Sequence, residues 1–505
     1  KETMSKIKYT LLLGICLLMY KTQAQSSSKP ATFQTTTFAQ ELKQLKNFFK
    51  IPGMSILVKQ GSQTIYEDYS GWANVAKKTP MKANTLVPIA SLTKIFAAVL
   101  IFKLEEEGKL SLDEPLLKYF PKQKFTDKIL VKHVLSHTSQ GDIGQHFYYS
   151  SRFGALTRVI EKASGMKFQQ YLEKEILKPL KLKNTFLLKN KKTLKQQDIQ
   201  LATPYQLSDK GNVKKGKVEY GFSTSAGIVS TPRDLAVFND ALDNNQLISA
   251  KSRIKMTTAF KNSLPYGYGI FSQQFAGEKL VWGYGQYDCY SGLYLKVPSK
   301  KLTLFILANN NLMSDPPRMI YGDVTSSLFA LSFLKNFVFG FDKMPLMQAG
   351  KVPSKKNSIK GQFYRKKLLA YALSSSFMAR FDKKHFYMSV KVLKKVFAEY
   401  PDYERYGNLN LMHNLLFLKD VAFYRSKTAF NDFDTHIKKI GEKLLKIDPQ
   451  NPYANVYMGS FYARNGKKAL AKPYYEQIIE AKNFSKNWYI FQAKGWLKKN
   501  KFTKK

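Results

Sequence analysis

Cysteine is nearly absent, with two in 505 residues. That excludes a disulfide-stapled scaffold and a cysteine-built zinc cluster. Histidine is scarce at six, and none stands in an HExxH arrangement, so no metal and no organic cofactor are implied. Glycine (28) and proline (19) are too few for a collagen-like or low-complexity chain. Acidic residues are also short: 36 Asp and Glu against 81 Lys and Arg leave a formal charge of +45. Such a charge invites a nucleic-acid reading. Arg, however, supplies only ten of the basic residues, and the Lys is spread along the whole chain. Arg is the residue that reads base edges and grips phosphates bidentately. No nucleic-acid partner is therefore expected, and the Lys reads as solvated faces that can also associate with an anionic envelope surface. With 44% hydrophobic and 14% aromatic residues there is ample material for packed cores, and the length suits two or three domains.

A long apolar run occurs only near the start. Lys6 and Lys8 precede the stretch 9–20, and Thr22-Gln23-Ala24 follows it. A basic segment, a short apolar segment and a small-residue site are the marks of a signal peptide, expected over 1–24. Residues 1–3 precede the expected start Met4. The product is expected to be exported, periplasmic or secreted, with Cys289 its only thiol. Residues 25–35 read as a Ser/Thr/Gln-rich leader. From 36 to 346, helices alternate with β-branched and aromatic strands such as 55–59, 63–67 and 301–307. Strands near both ends of this region predict an α/β sandwich whose sheet uses both. Phe96 to Glu107 reads as a helix stopped by Gly108. Residues 347–361 read as a linker. Beyond it, 362–505 is helical only, with helix pairs ending near Pro401 and Pro449 and a third starting at Asn451. Met458-Gly459, Tyr462, Gly466, Ala471 and Tyr475 fall at tetratricopeptide-like offsets, a surface that can take a protein partner.

Ser91-Leu-Thr-Lys94 carries chemistry. On a helix, positions i and i+3 share a face, so the Lys amine can reach the Ser hydroxyl. Serine is a poor nucleophile until a base removes its proton, and a lysine whose pKa is lowered by burial can be that base. The spacing alone is weak, because Ser5/Lys8, Ser26/Lys29, Ser164/Lys167 and Ser252/Lys255 share it. What sets Ser91 apart is its place at the start of the apolar run Ile95–Phe102, where a helix N-terminus adds its dipole.

Further motifs accompany it in order: Ile51-Pro-Gly-Met-Ser, Asn84 to Lys94, Leu104 to Pro115, Val134-Leu-Ser-His-Thr-Ser139, Gly227-Ile-Val-Ser-Thr-Pro-Arg-Asp-Leu235 and Asn309. Over about 38–345 the chain resembles the serine β-lactamase/penicillin-binding-protein superfamily, in its class C-like branch with esterases and D-Ala-D-Ala peptidases. The resemblance implies that Tyr149 is the catalytic tyrosine of a Tyr-x-Asn motif, with Ser151 in the place of Asn. It implies that the edge-strand motif Lys/His-x-Gly is Gly283-Tyr284-Gly285, with Gly283 in the place of the cation; other frames put Trp282 or Tyr284 there. The backbone N–H groups of Ser91 and Gln286 would then form the oxyanion hole. Loss of the cation removes a grip on a substrate carboxylate and an aid to lowering the Lys94 pKa. It thereby favours an uncharged ester or amide over a β-lactam.

His137 is expected to be structural, His133 and His146 solvated, and Cys289 a buried strand residue. The function expected is an exported serine hydrolase acting on a small-molecule or peptide acyl substrate. The alternative is a catalytically impaired binding or sensor protein, working through the old pocket and the helical repeats.

Overall fold

The computed structural model describes residues 33–122, 125–196, 201–341, 343–404, 408–427, 429–481, 483–484 and 487–502. The expected signal peptide and most of the leader lie outside them. Helix α1 (Thr35–Phe48) leads into a seven-stranded antiparallel sheet. Its strands are β1 (Gly53–Gln60), β2 (Gln63–Asn74), β3 (Thr79–Pro80), β4 (Phe271–Phe275), β5 (Glu278–Gln286), β6 (Ser291–Val297) and β7 (Leu302–Ala308). The order is β3-β2-β1-β7-β6-β5-β4, so the first and last segments of the α/β region meet at the β1–β7 pair. Asn309 closes that junction: its Oδ1 accepts the Gly53 N–H at 2.8 Å and its Nδ2 donates to the Trp72 carbonyl at 3.0 Å.

Alternation along the strands buries both sheet faces. Trp282, Leu293, Leu295, Leu304 and Ile306 face one cluster, and Val281, Tyr294, Phe305 and Leu307 the other. Helix α2 (Thr93–Glu106) lies in the second cluster. It is buried nearly all round, from Thr93 through Phe102, which is why its sequence shows no polar stripe. Helices α3 (Leu156–Ser164) and α4 (Pro232–Asp243) pack in the same layer. Helix α4 starts on Thr231, whose hydroxyl accepts the Asp234 N–H, with Pro232 at the first helical position.

Beyond Ser358 the described residues are helical: α5 (Ile359–Met378), α6 (Lys383–Glu399), α7 (Leu409–Ser426), α8 (Asp434–Ile447), α9 (Pro452–Arg464), α10 (Lys468–Glu480) and α11 (Trp488–Lys499). The expected linker overshoots by one turn. Ser358 caps α5 by accepting the Gly361 N–H, and Gly361 stands inside the first turn, where a Cβ would lie 2.3 Å from the Lys356 carbonyl. A glycine demanded by close backbone approach reads, in sequence, like a loop glycine. These helices are not a separate body, because Phe363, Leu369, Val396, Leu411, Ile437 and Val456 belong to the same hydrophobic cluster as Trp282 and Ile306 of the sheet. Among the described residues no helix is long and apolar enough to cross a membrane.

Candidate active site

Ser91 sits in a one-turn 3-10 segment, Ala90–Leu92, that runs straight into α2. The turn is entered through Ala90 at φ 47°, a left-handed conformation that a residue with a Cβ adopts at a cost. Thr93 fixes the turn, its hydroxyl accepting the Ile228 N–H at 3.1 Å. This joins the Gly227-Ile-Val-Ser motif to Ser-Leu-Thr-Lys. Lys94, one turn on, is 3% exposed, and its Nζ donates to Ser91 Oγ at 3.0 Å and to the Ser225 carbonyl at 2.9 Å. The amine lies over the Tyr149 ring at 4.8 Å and the Phe153 ring at 5.3 Å. Burial pulls its pKa down to about 7. At neutral pH about half of this amine is therefore unprotonated, within hydrogen-bonding distance of a serine hydroxyl.

Tyr149 approaches from the other side and lines the same cleft as Ser91. Burial pushes its pKa up, and the nearby Ser91 hydroxyl offsets only part of that shift. It is therefore a protonated phenol, fit to donate a proton rather than to remove one. His137 is structural in its contacts. Its ring stacks on Tyr149 at 4.3 Å and its Nδ1 accepts the Ser150 N–H at 3.1 Å. Burial and the neighbouring Lys94 hold it neutral.

Strand β5 forms the opposite wall. Gly285 packs on the serine segment so closely that a Cβ would lie 2.1 Å from the Ile89 carbonyl. Tyr287 donates to Tyr290 at 2.9 Å, and Gln286 faces Ser291 one step back. Antiparallel alternation therefore turns the Gln286 N–H away from β6. The β4 pairing has ended at Trp282, so that N–H meets the open edge beside Ser91, as an oxyanion donor must. Gly283 faces inward, and a Cβ there would meet Ile95 Cδ1 at 3.1 Å and Leu92 Cδ2 at 3.2 Å. A side chain at 283 would therefore point into the core rather than the cleft, so the expected frame is corrected: Tyr284, which another frame puts in the cation's place, lines the cleft.

The cleft over Ser91 has a volume of about 280 Å³ and is lined by Tyr149, Glu219, Tyr284, Gln286, Asp288 and Arg318 among others. Tyr284 contributes an aromatic wall, its ring 5.9 Å from Tyr149. Ser151 is exposed and does not line the cleft, because it begins the 3-10 turn Ser151–Ala155 whose cap is Ser150. Three other expectations are corrected. His133 is buried rather than solvated: its Nδ1 accepts the Leu130 N–H at 3.1 Å, and burial lowers its pKa to about 4. His146 is half-buried, with Nδ1 3.8 Å from Asp448. Cys289 is buried, but in the turn between β5 and β6 rather than in a strand.

Sequence reasoning missed the Ser225 carbonyl, Glu219 and Arg318. Burial raises the Glu219 carboxyl, which accepts the Asp288 N–H at 2.8 Å. Arg318 stands in a left-handed turn at φ 44° after β7, and its Nε is buried without a partner. The turn sequence Asp315-Pro-Pro-Arg318, placed just after the last strand of the sheet, was the available signal.

Comparisons with known proteins agree with this geometry. The family model described as Beta-lactamase matches residues 38–322, more than half of the chain. Protein flp of Staphylococcus aureus (strain MW2) is 26% identical over 308 residues, covering 52% of this chain and 60% of that protein. Penicillin-binding protein 4* of Bacillus subtilis (strain 168) is 22% identical over 305 residues, covering 50% and 67%. The chain thus spans about three fifths of the length of the first of these relatives. Among solved structures, the octameric penicillin-binding protein homologue from Pyrococcus abyssi aligns with a TM-score of 0.53 at 25% identity. The alignment covers 60% of this chain and 77% of that one.

Proposed function

The chain belongs to the Beta-lactamase family of serine hydrolases, and from that membership we propose that it cleaves an ester, amide or peptide bond through an acyl-enzyme on Ser91. The observation that carries the reading is the Lys94 amine, 3.0 Å from Ser91 Oγ and brought by burial to about 7. Neutral Lys94 takes the Ser91 proton as Oγ attacks the acyl carbon. The N–H groups of Ser91 and Gln286 receive the developing oxyanion. The Tyr149 phenol gives its proton to the leaving group and is reprotonated from Lys94. Water then clears the acyl group by the reverse route.

Arg318 alters the expected substrate. Loss of a cation at Gly283 argued for an uncharged acyl donor, yet Arg318 lines the same cleft and can hold a carboxylate from the opposite side. The reading therefore extends to carboxylate-bearing peptides. It takes 1–24 as a signal peptide and the helices beyond 361 as TPR-like, so the hydrolase acts in the periplasm or outside the cell with a protein partner on its helices.

Intact mass of the protein after exposure to a fluorophosphonate and, separately, to a penicillin tests it, with Ser91→Ala as control. A fluorophosphonate adduct that disappears in Ser91→Ala is the expected result. The uncharged Tyr284 in the cleft and the outward Ser151 favour a binding or sensor protein instead. No adduct from either reagent would overturn the hydrolase reading and favour the second.

A further inference from the structure

Tyr149 has to be held within hydrogen-bonding reach of Ser91, yet it lies on an irregular stretch between the helix ending at Leu135 and the turn starting at Ser151. From inside, His137, Tyr266 and Phe271 grip this stretch through ring contacts with Phe147 and Tyr149. From outside, the C-terminal helices do. The Tyr148 hydroxyl donates to the buried carboxylate of Asp448, which caps the end of α8. Tyr453, in the first turn of α9, donates to the Tyr149 carbonyl at 3.4 Å. Arg152 donates to the Asn483 carbonyl at 3.0 Å, and Asn483 Nδ2 returns a bond to the Ser139 carbonyl at 3.2 Å. Phe484 packs edge-on against Tyr148 at 5.2 Å. The Arg318 wall is held in the same way: Asn410 of α7 donates to the Pro317 carbonyl, and Tyr457 of α9 hydrogen-bonds Tyr321.

Resting on the acyl-enzyme reading of Ser91, we infer that the C-terminal helices are part of the hydrolase's active site, with Asp448, Tyr453 and Asn483 acting as positioning residues for Tyr149. These bonds converge on one stretch from three separate places: the α8 cap, the start of α9 and the α10–α11 connection. The residues bridged are about 300 or more positions apart in sequence, so nothing local would hold them together. Proton delivery to a leaving group tolerates little displacement of the donor. An anchor that fixes the backbone of Tyr149 therefore governs the chemical step without touching substrate.

The test uses leaving-group dependence on the full chain. Acylation of Ser91 by 4-nitrophenyl butyrate needs no proton for its leaving group, whereas ethyl butyrate does. Tyr148→Phe removes one hydroxyl, and Asp448→Ala removes its acceptor. Each variant is expected to slow acylation by the ethyl ester at least tenfold while changing the nitrophenyl ester less than threefold. The double variant should add nothing to Asp448→Ala, which already removes the Tyr148 bond along with that of Asn451 to the same carboxylate. Tyr475→Phe, which loses a hydroxyl bonded to Ser460 within the same helices, should leave both rates unchanged. Equal loss for both esters, in proportion to the folded fraction, would overturn the inference and reduce these contacts to ordinary packing. So would unchanged rates in Tyr148→Phe, the variant least able to disturb folding. Failure of the wild-type protein to form any Ser91 adduct would instead be the failure of the hydrolase reading itself.

Discussion

Lys94 gives the sharpest test, because one cause, burial, sets both its chemistry and its stability cost. Its pKa of about 7 leaves about a tenth of the amine neutral at pH 6 and about nine tenths at pH 8. Acylation of Ser91 should therefore rise about tenfold between those pH values, with about one decade per unit below pH 6. Time-resolved intact mass with a fluorophosphonate from pH 5 to 9 reads this directly. The stability sign follows from linkage. Between about 7 and about 10.4 the unfolded chain keeps a proton that the folded chain has released, so this group's contribution to stability rises with pH across that window. At pH 7 the lysine costs the fold about 4 kcal/mol. Lys94→Met removes that cost and also two hydrogen bonds, each about 1 kcal/mol, leaving a net gain of about 2 kcal/mol at pH 7. The advantage should shrink as pH approaches 10, while acylation falls by about 10²–10⁴. Urea unfolding of both proteins at pH 7 and 9.5 reads the difference. A labelling profile that is flat, or centred near 10, would refute the burial argument. So would a Lys94→Met protein less stable than wild type at pH 7.

Gly285→Ala puts a Cβ 2.1 Å from the Ile89 carbonyl. It should slow acylation at least 100-fold and lower Tm, and wild-type labelling would show that β5 does not abut the serine turn. Gly283→Lys should not restore the family's cation: with Ile95 Cδ1 at 3.1 Å from the new Cβ, calorimetry should find a lower Tm and kinetics no gain on carboxylate-bearing substrates. Arg318→Gln should reduce hydrolysis of a carboxylate-bearing peptide about 10–100-fold relative to its neutral amide, the worth of a charge-assisted bond. An equal effect on both substrates would remove Arg318 from substrate anchoring.

Much of this arrangement was legible before any coordinates. The strands at 55–59, 63–67 and 301–307 carry β-branched and aromatic residues, and they lie within β1, β2 and, but for Lys301, β7. Ser91, Lys94 and Tyr149 converge because the motif spacing encodes a helical turn and a neighbouring loop. What stayed hidden depends on distance through space rather than along the chain. The Ser225 carbonyl that orients Lys94 is a backbone atom with no sequence signature. Ser151 was taken into the cleft because the motif says so, but the Ser150 cap turns it outward. His133 looked solvated beside Lys132, yet it closes its own helix start by accepting the Leu130 N–H. The linker hid the continuity of the core, since Gly361 and its flanking lysines read as an interdomain hinge. A truncation there would expose the apolar cluster shared by Trp282 and Leu369 and would test folding rather than function.

The missing basic residue at Gly283 separates two tasks that the family resemblance joins in one side chain. One is to lower the pKa of the catalytic lysine; the other is to hold an anionic substrate. Here the first needs no second cation. Lys94 is lowered by burial alone, between the faces of Tyr149 and Phe153 and under the Ser225 carbonyl. A cation at Gly283 would find Leu92 and Ile95 in its way, and those same side chains help to keep the helix start dry. In the proposed function the second task falls to Arg318, which lines the cleft from the turn after β7 rather than from β5. That turn is held by Asn410 and Tyr457 of the C-terminal helices, the same region that grips the Tyr149 stretch. On the proposed mechanism, activation of the serine depends on the α/β core, while proton delivery and substrate grip depend on the helices. Damage to the helical region should accordingly leave the Ser91 nucleophile reactive toward a fluorophosphonate while abolishing turnover of slow leaving groups. Damage to the Lys94 environment should abolish both.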